Sequence, residues 1–169
     1  MSGNTFFIAD PHFGHENIIK YEKRPFLNVE EMDRFLIEKW NSIVKNNDEV
    51  FVLGDFSFYT KAKTKQICNE LKGRKYLIKG NHDKNSDEFY TDCGFEFVSK
   101  YPIIYKQFWM LSHEPLYLNE NMPYANIFGH VHANKAFKDY SAQSYCVSVE
   151  RIGYEPIPFK LIKEAVEGI

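Results

Sequence analysis

The sequence predicts an α/β fold with a largely parallel central sheet. Three apolar runs rich in aromatic and β-branched residues each end in polar residues, which is typical of buried strands: TFFIA at 5–9, EVFVLGD at 49–55 and KYLIKGNHD at 75–83. Helix-like segments separate these runs, and strands that alternate with helices form βαβ units with parallel strands. The length of 169 residues suits one domain, so we expect residues 1–169 to form a single unit.

Two helices are predicted between the first three strands. In the first, Asn28 followed by Glu31 is a helix-start signature, and apolar residues then recur at helical spacing, which indicates an amphipathic helix over 29–45. A second helix over 61–72 is expected to end at Gly73.

The second half of the chain predicts short strands with antiparallel neighbours. Residues 102–115 contain two apolar runs separated by polar residues, as in a hairpin, and strands are also indicated within 124–132 and 143–149. The segment 159–166 fits either a terminal helix or an edge strand, because periodicity does not separate these for so short a stretch.

Composition limits the classes of partner. The chain has 21 Lys and Arg against 23 Asp and Glu, so it has no general positive field that would attract polyanions. An extended surface for binding a nucleic-acid duplex is therefore not expected, and any contact with nucleic acid would be local. The three cysteines lack metal-ligand spacing and suit a reducing compartment. No targeting or membrane-spanning segment is evident, so we expect a cytoplasmic protein without a membrane partner, and the oligomeric state is left unpredicted.

Polar residues at the predicted strand ends indicate a metal site. A lone histidine is more often an ordinary loop or core residue, but five of the six histidines of this chain fall in these strand-end clusters. Imidazoles, carboxylates and one carboxamide suit Mn²⁺, Fe²⁺ or Zn²⁺. The candidate ligands are too many for one tetrahedral ion that keeps an open position, and they suggest two ions that share a carboxylate. They are Asp10, His12, Asp55, Asn81, His113, His130 and His132.

The order of these motifs resembles that of the calcineurin-like metallophosphoesterase superfamily. The matching elements are Asp10-x-His12, Gly54-Asp55, Gly80-Asn81-His82-Asp83, His113 and Gly129-His130-x-His132. Each motif alone is weakly specific, but together they cover residues 10–132. Within the superfamily, the chain resembles the compact bacterial and phage-type phosphoesterases that lack a cap domain.

The resemblance implies both a fold and a division of roles. The fold would be a four-layer arrangement in which two mixed β-sheets pack as a sandwich flanked by helices. One metal would be held by Asp10, His12 and His132, the other by Asn81, His113 and His130, and Asp55 would bridge them. His82 would contact the phosphate or the leaving oxygen, oriented by Asp83, and the cofactors would be two divalent ions, with Mn²⁺ expected and Fe, Zn or Ni as alternatives.

These expectations define a hydrolytic function. Two ions can activate a bridging hydroxide and stabilise the negative charge of a phosphoryl group. We expect a phosphodiesterase acting on small nucleotide-like or other phosphodiesters, with a small phosphate ester as its partner. Alternatives are a phosphomonoesterase or pyrophosphohydrolase using the same site, a nuclease, and a non-catalytic metal-binding module.

Four further residues are candidates for substrate contact. Asn17 and Arg24 could reach the phosphate, since the forked donors of arginine suit that group. His15 could contact the leaving group, and Tyr117 could stack on a nucleoside or aryl group. For each of these residues, an ordinary solvated or structural role is the alternative. Glu16 is expected to be solvated or to begin a helix.

Overall fold

A computed structural model describes residues 3–167. Within this range, ten strands form two five-stranded sheets. The strands are β1 (Thr5–Ile8), β2 (Glu49–Val52), β3 (Arg74–Ile78), β4 (Phe95–Ser99), β5 (Ile103–Tyr105), β6 (Trp109–Leu111), β7 (Ala125–Phe128), β8 (Tyr140–Ser141), β9 (Ser144–Cys146) and β10 (Ile157–Pro158). The helices are α1 (Glu16–Tyr21), α2 (Val29–Ile43), α3 (Lys61–Glu70), α4 (Asp87–Cys93) and α5 (Phe159–Glu167).

Both sheets are mixed. The first has the order β10-β1-β2-β3-β4, in which only the β1–β10 pair is antiparallel. The second has the order β5-β6-β7-β9-β8, with antiparallel pairs at both edges. The predicted fold of two mixed sheets with flanking helices is confirmed.

The centre of the second sheet corrects the expectation of antiparallel neighbours. The hairpin formed by β5 and β6 is antiparallel as predicted, but β6 pairs with β7, and β7 with β9, in parallel. The connections through residues 112–124 and 129–143 are long enough to bring the chain back to the end of the sheet where the previous strand began, so the next strand runs parallel to it. A tight hairpin turn would instead make the two strands antiparallel.

One apolar cluster joins the two sheets. Phe7 and Phe51 of the first sheet pack in the same cluster as Leu111 and Ile127 of the second, with Ile162 of α5 completing it. All five side chains are nearly or fully buried. This packing fixes one sheet relative to the other and therefore fixes which strand ends meet.

The other face of the first sheet packs against helices. Met32 and Trp40 of α2, Ile67 of α3 and Tyr90 of α4 share a cluster with Val50 of β2. The two predicted helices are present, and each ends two residues earlier than expected, at Ile43 and at Glu70. The residue after each end is already extended, and in both cases it is an apolar side chain buried in the core.

Residues 84–101, to which the sequence analysis assigned no element, contain α4 and β4. The helix is short, with Ser86 capping its start and Gly94 ending it in the left-handed conformation (φ 114°). Periodicity is uninformative over seven residues. The alternative left open for 159–166 resolves as the helix α5. None of the helices in the described range is both long and apolar enough to cross a bilayer.

Candidate metal centre

The predicted ligands meet at one edge of the sandwich. Asp10, Asp55 and Asn81 lie beyond the carboxyl ends of β1, β2 and β3, and His113 and His130 follow β6 and β7. In open α/β sheets, binding sites form at this edge because parallel strands end there together. The cluster thus draws residues from both sheets, which explains how positions 120 residues apart come into hydrogen-bond contact.

Three candidate ligand atoms of the second predicted set converge closely. Asn81 Oδ1 lies 3.0 Å from His113 Nε2 and 3.0 Å from His130 Nδ1, and these two nitrogens are 3.1 Å apart. An amide oxygen and two imidazole nitrogens directed at one another form a donor set suited to a divalent ion.

Asp55 lies between the two predicted sets. Its Oδ2 is 3.5 Å from His12 Nε2 on one side and 3.5 Å from His113 Nε2 on the other. Its Oδ1 accepts a hydrogen bond from the backbone N–H of His82 at 2.9 Å. The carboxylate is therefore fixed in a position from which it can contact both sets.

The first predicted set is buried and incompletely hydrogen-bonded. Candidate ligand atoms of Asp10, His12 and His132 all lie within 4.8 Å of one another. Among the residues that the structure describes, Asp10 Oδ1 and His12 Nε2 are buried atoms without a hydrogen-bond partner. Orphaned buried polar atoms are costly, and a cation coordinated by both would remove that cost. The residues present therefore fit a metal ion.

Hydrogen bonds on the far side of two imidazoles select which nitrogen is free to bind. His113 Nδ1 donates to the carbonyl of Leu53 at 2.8 Å, which leaves Nε2 facing Asn81 and Asp55. His132 Nδ1 donates to Glu150 at 3.1 Å. Metal-binding histidines characteristically have such a partner, which fixes the tautomer and ring orientation.

Burial shifts the titration of the cluster. Desolvation raises the pKa of Asp10 from 3.8 to about 6, although nearby histidines oppose the shift. Desolvation lowers the pKa of His12 well below its usual range, so its imidazole is neutral. Burial opposes charge on His132, but the carboxylates of Glu150, Asp10 and Glu22 together outweigh it and raise the pKa of His132.

The backbone at the cluster adopts a conformation that side chains other than glycine rarely take. Five predicted ligands have φ between 45° and 70°: Asp10, His12, Asp55, His130 and His132. Positive φ in non-glycine residues stores strain and is concentrated at functional sites. The surrounding hydrogen bonds hold these turns, such as those from His12 N to Asp55 O at 3.0 Å and from Asp10 N to Gly54 O at 3.1 Å.

The two residues predicted as catalytic have different environments. His82 is exposed, and its ring centre is 5.6 Å from that of His12 and 5.2 Å from that of Phe58. Asp83 is buried, and its carboxylate accepts from the backbone N–H groups of Asp55 at 2.7 Å and Gly80 at 2.9 Å. All hydrogen bonds of Asp83 in the described chain go to groups other than the His82 ring, which corrects the expectation that it orients that imidazole.

The environment of Arg24 also differs from that predicted for a substrate-binding residue. Its guanidinium is buried and donates to Glu150, to the carbonyls of Asp10 and Pro11, and to the sulfur of Met32. Nε, Nη1 and Nη2 all donate to these groups, and Nη2 also lies 2.7 Å from Glu150 Oε1, so this buried guanidinium is engaged within the protein and does not face a phosphate. Arg24 is therefore wrong as a substrate-binding residue, because it instead holds the loop that carries Asp10.

The other three substrate candidates have different surroundings. His15 Nδ1 is 3.1 Å from His12 Nδ1, and its ring stacks on Phe58 with centres 4.0 Å apart. Asn17 is exposed on α1, which begins at Glu16 as one alternative anticipated. Tyr117 is 94% exposed and makes no aromatic contact within the described residues.

Three residues at the site were missed by the sequence analysis: Glu150, Ser148 and Phe58. Ser148 donates to Asp10 Oδ2 at 2.6 Å. Glu150 is buried and carries the ion pair with Arg24 at 2.7 Å. A signal for Glu150 was available, since it directly follows the apolar run YCVSV, just as the predicted ligands follow theirs.

Two cavities flank the cluster. One of about 500 Å³ is lined by Asn81 and His113 together with Lys84 and Lys100. The other, of about 510 Å³, is lined by His130 and His132 with Glu22, Glu114 and Phe137 among its other residues. Open space therefore adjoins two different pairs of candidate ligands, Asn81 with His113 and His130 with His132.

Relatives were identified by sequence comparison. The family model described as calcineurin-like phosphoesterase matches residues 4–164. Uncharacterized protein MJ1445 of Methanocaldococcus jannaschii is 38% identical over 171 residues, covering 96% of this chain and 90% of that protein. Gene 66 protein of Mycobacterium phage L5 is 39% identical over 83 residues, which are 47% of this chain and 40% of the phage protein.

Solved structures share the fold. The protein of unknown function AQ665 from Aquifex aeolicus superposes with a TM-score of 0.74 at 28% identity, over 96% of this chain and 98% of that one. Pseudomonas putida nuclease MPE gives a TM-score of 0.52 at 20% identity, over 76% of this chain and 61% of that one, a likeness of fold alone. Since the family model spans nearly the whole described range, this protein belongs to the calcineurin-like phosphoesterase family.

Proposed function

We propose that this protein is a phosphodiesterase that hydrolyses small nucleotide-like phosphodiesters with two divalent metal ions, Mn²⁺ in our expectation. Family membership supports metal-dependent phosphoester hydrolysis in general. The observation that carries the proposal is the paired donor set around Asp55: three convergent atoms on one side, and the orphaned atoms of Asp10 and His12 on the other.

In this proposal, each of the two donor sets would hold one ion. Asp10, His12 and His132 would hold the first, Asn81, His113 and His130 would hold the second, and Asp55 lies where it could serve both. When bound, the ions supply the charge that lowers the pKa of the attacking water and stabilises the phosphoryl oxygens. Asp83 keeps the loop after β3 in place through its bonds to the backbone of Asp55 and Gly80.

His82 is the proposed acid for the leaving oxygen. Its ring is exposed beside His12 and Phe58, so it is accessible to a substrate bound over the cluster. Its backbone N–H is fixed on Asp55 Oδ1, which ties the position of this loop to the carboxylate between the ions. Proton donation from a positioned histidine contributes roughly 10²- to 10⁴-fold in rate.

Two features favour a diester over a monoester. Two cavities adjoin the cluster, which suits a phosphate with two ester substituents. In addition, all three nitrogens of the buried Arg24 guanidinium are engaged within the protein, so this guanidinium is not available to neutralise the second negative charge of a monoester. We expect kcat/KM for bis(p-nitrophenyl) phosphate to exceed that for p-nitrophenyl phosphate in the presence of Mn²⁺. A higher value for the monoester would make the protein a phosphomonoesterase and refute the proposed diester preference.

Substitutions distinguish metal binding from proton donation. Asp55→Asn and His130→Ala should each lose bound metal and turnover together, whereas His82→Ala should retain metal and lose turnover by roughly 10²-fold or more. Metal content by mass spectrometry and turnover of the diester are measured side by side. Asp92→Asn, a carboxylate paired with Lys61 at the surface, is the control. Wild-type activity in Asp55→Asn would refute the site.

A further inference from the structure

The cavity beside Asn81 and His113 has a basic wall that the proposed hydrolysis does not use. It lies at the carboxyl ends of β3, β4 and β6, and both Lys84 and Lys100 line it. Because Asn81 and His113 also belong to the proposed metal centre, a molecule whose phosphate sits on that centre can extend directly into this cavity.

Lys84 and Lys100 are free cations in this wall. Both are exposed, and within residues 3–167 neither forms an ion pair with a carboxylate. Lys100 lies over the ring of Tyr101, at 5.8 Å from its centre, a contact that leaves its charge in place. The third lysine of the cavity, Lys79, is already neutralised by Asp87 at 3.0 Å.

The acidic residues of the same cavity do not cancel this charge. The Asp83 carboxylate is buried and points at backbone N–H groups of Gly80 and Asp55, so it does not face the cavity as a free anion. Glu114 remains as one exposed acid against two free lysines. The wall therefore favours a bound anion.

The second cavity has the opposite character. Glu22 and Glu114 line it, together with Phe137, which is 40% exposed. Two carboxylates disfavour an anionic group there, and an exposed aromatic ring favours an uncharged planar one. The two cavities beside the proposed metal centre thus discriminate between the two substituents of a diester.

We infer that the substrates are nucleotide diesters carrying a second phosphate, which binds Lys84 and Lys100 while the uncharged substituent occupies the cavity containing Phe137. This inference rests on the proposed function, because the scissile phosphate must lie on the metal centre. It names the substrate class more narrowly: a small phosphodiester whose second phosphate lies on one defined side of the scissile one.

The test uses two esters that differ only in the second phosphate: the p-nitrophenyl ester of thymidine 5′-phosphate, with a free 3′-hydroxyl or with a 3′-phosphate. In the wild-type protein, KM should be about tenfold lower for the phosphorylated ester, because two exposed ion pairs with the second phosphate would strengthen binding by about that factor. The double variant Lys84→Ala/Lys100→Ala should lose this difference. Lys45→Ala, an exposed lysine before β2 at the opposite edge of the sheet, should keep it.

Equal KM values for the two esters in the wild-type protein, or a preference that survives in the double variant, would overturn the inference. Titrating thymidine 3′,5′-bisphosphate and thymidine 5′-monophosphate into the Mn²⁺-loaded protein separates this failure from that of the proposed function. A lysine-dependent advantage of the bisphosphate without any turnover would refute hydrolysis and support the binding site. Turnover of the unphosphorylated ester, with equal affinity for the bisphosphate and the monophosphate, would support hydrolysis and refute the phosphate-binding site.

Discussion

Neighbouring side chains hold His132 and Asp10 in place. His132 is oriented by Glu150, which in turn is paired with Arg24, and Arg24 donates to the carbonyl of Asp10 at 2.8 Å. This buried chain of contacts links two members of the first predicted metal set. Burial opposes the ionised form of Glu150, but its bonds with His132 and Arg24 outweigh burial and lower its pKa.

Removing the charge of Glu150 should weaken the first metal site. In Glu150→Gln, the imidazole of His132 loses its anionic partner and becomes a poorer ligand, so affinity for the first Mn²⁺ should fall about 10- to 100-fold. Free Mn²⁺ is measured by electron paramagnetic resonance during titration, and circular dichroism checks the fold. Glu49→Gln, which breaks the more exposed pair with Arg74, is the control. Unchanged affinity would show that Glu150 does not position His132.

Gly80 is the second residue on which the geometry depends. A Cβ at this position would collide with Asp55 Oδ1 and come within 2.7 Å of the Asp55 backbone nitrogen. Gly80→Ala should therefore displace the central carboxylate and lower turnover at least about 100-fold, since a displacement of about 1 Å can have that effect. Gly153→Ala, where a Cβ meets nothing within 4 Å but a φ of 72° makes alanine strained, is the control for a strained glycine replacement without contact with Asp55, and its diester hydrolysis should be unchanged. Equal activity of the two variants would contradict this role.

At the scale of elements, α2 supports the loops around the site through a buried acid. Asp33 accepts from the backbone N–H of Gly14 at 3.2 Å and from the hydroxyl of Tyr59 at 2.9 Å. Burial raises the pKa of Asp33 from 3.8 to about 6. The folded chain therefore binds this proton over a pH range in which the unfolded chain has released it.

The pH dependence of stability follows from that shift. The contribution of Asp33 is complete below about pH 4 and is lost as the pH rises through about 6. Relative to Asp33→Asn, the wild-type free energy of unfolding should fall across this interval and then stay level above pH 7. Urea denaturation at each pH measures it, with Glu38→Gln on the exposed face of α2 as control. A constant difference between the wild type and Asp33→Asn would contradict the shift.

The elements that the sequence predicts best are those with long periodic patterns. The helix beginning after Asn28 has the predicted cap, with Asn28 Oδ1 accepting from Glu31 N at 2.8 Å. α4 was missed because it has only seven residues and depends on its capping residues and on packing. The parallel centre of the second sheet was missed because strand direction is set by tertiary packing along connections too long to read locally.

At the scale of the whole molecule, the sandwich brings both sheets to one edge. The meeting of Asp10 and Asp55 was predictable, because polar residues that end apolar runs of neighbouring parallel strands lie at the same edge of the sheet. The convergence of His113 with them was predicted from the order of the motifs instead, since its strand was expected to have antiparallel neighbours. The engagement of Arg24 inside the protein was not predictable, since its nitrogens bond groups as distant in sequence as Glu150. Nor was the left-handed backbone of His130, which depends on a hydrogen bond from its N–H to Asp10.

The central claim is that two ions, held on either side of Asp55, make this chain a phosphodiesterase. The most direct measurement is hydrolysis of bis(p-nitrophenyl) phosphate by metal-depleted protein as Mn²⁺ is added in fractions of an equivalent. The account predicts no turnover without metal, and activity that saturates as two equivalents bind. Full activity in the depleted protein, or none at any Mn²⁺ concentration despite binding of both ions, would contradict it.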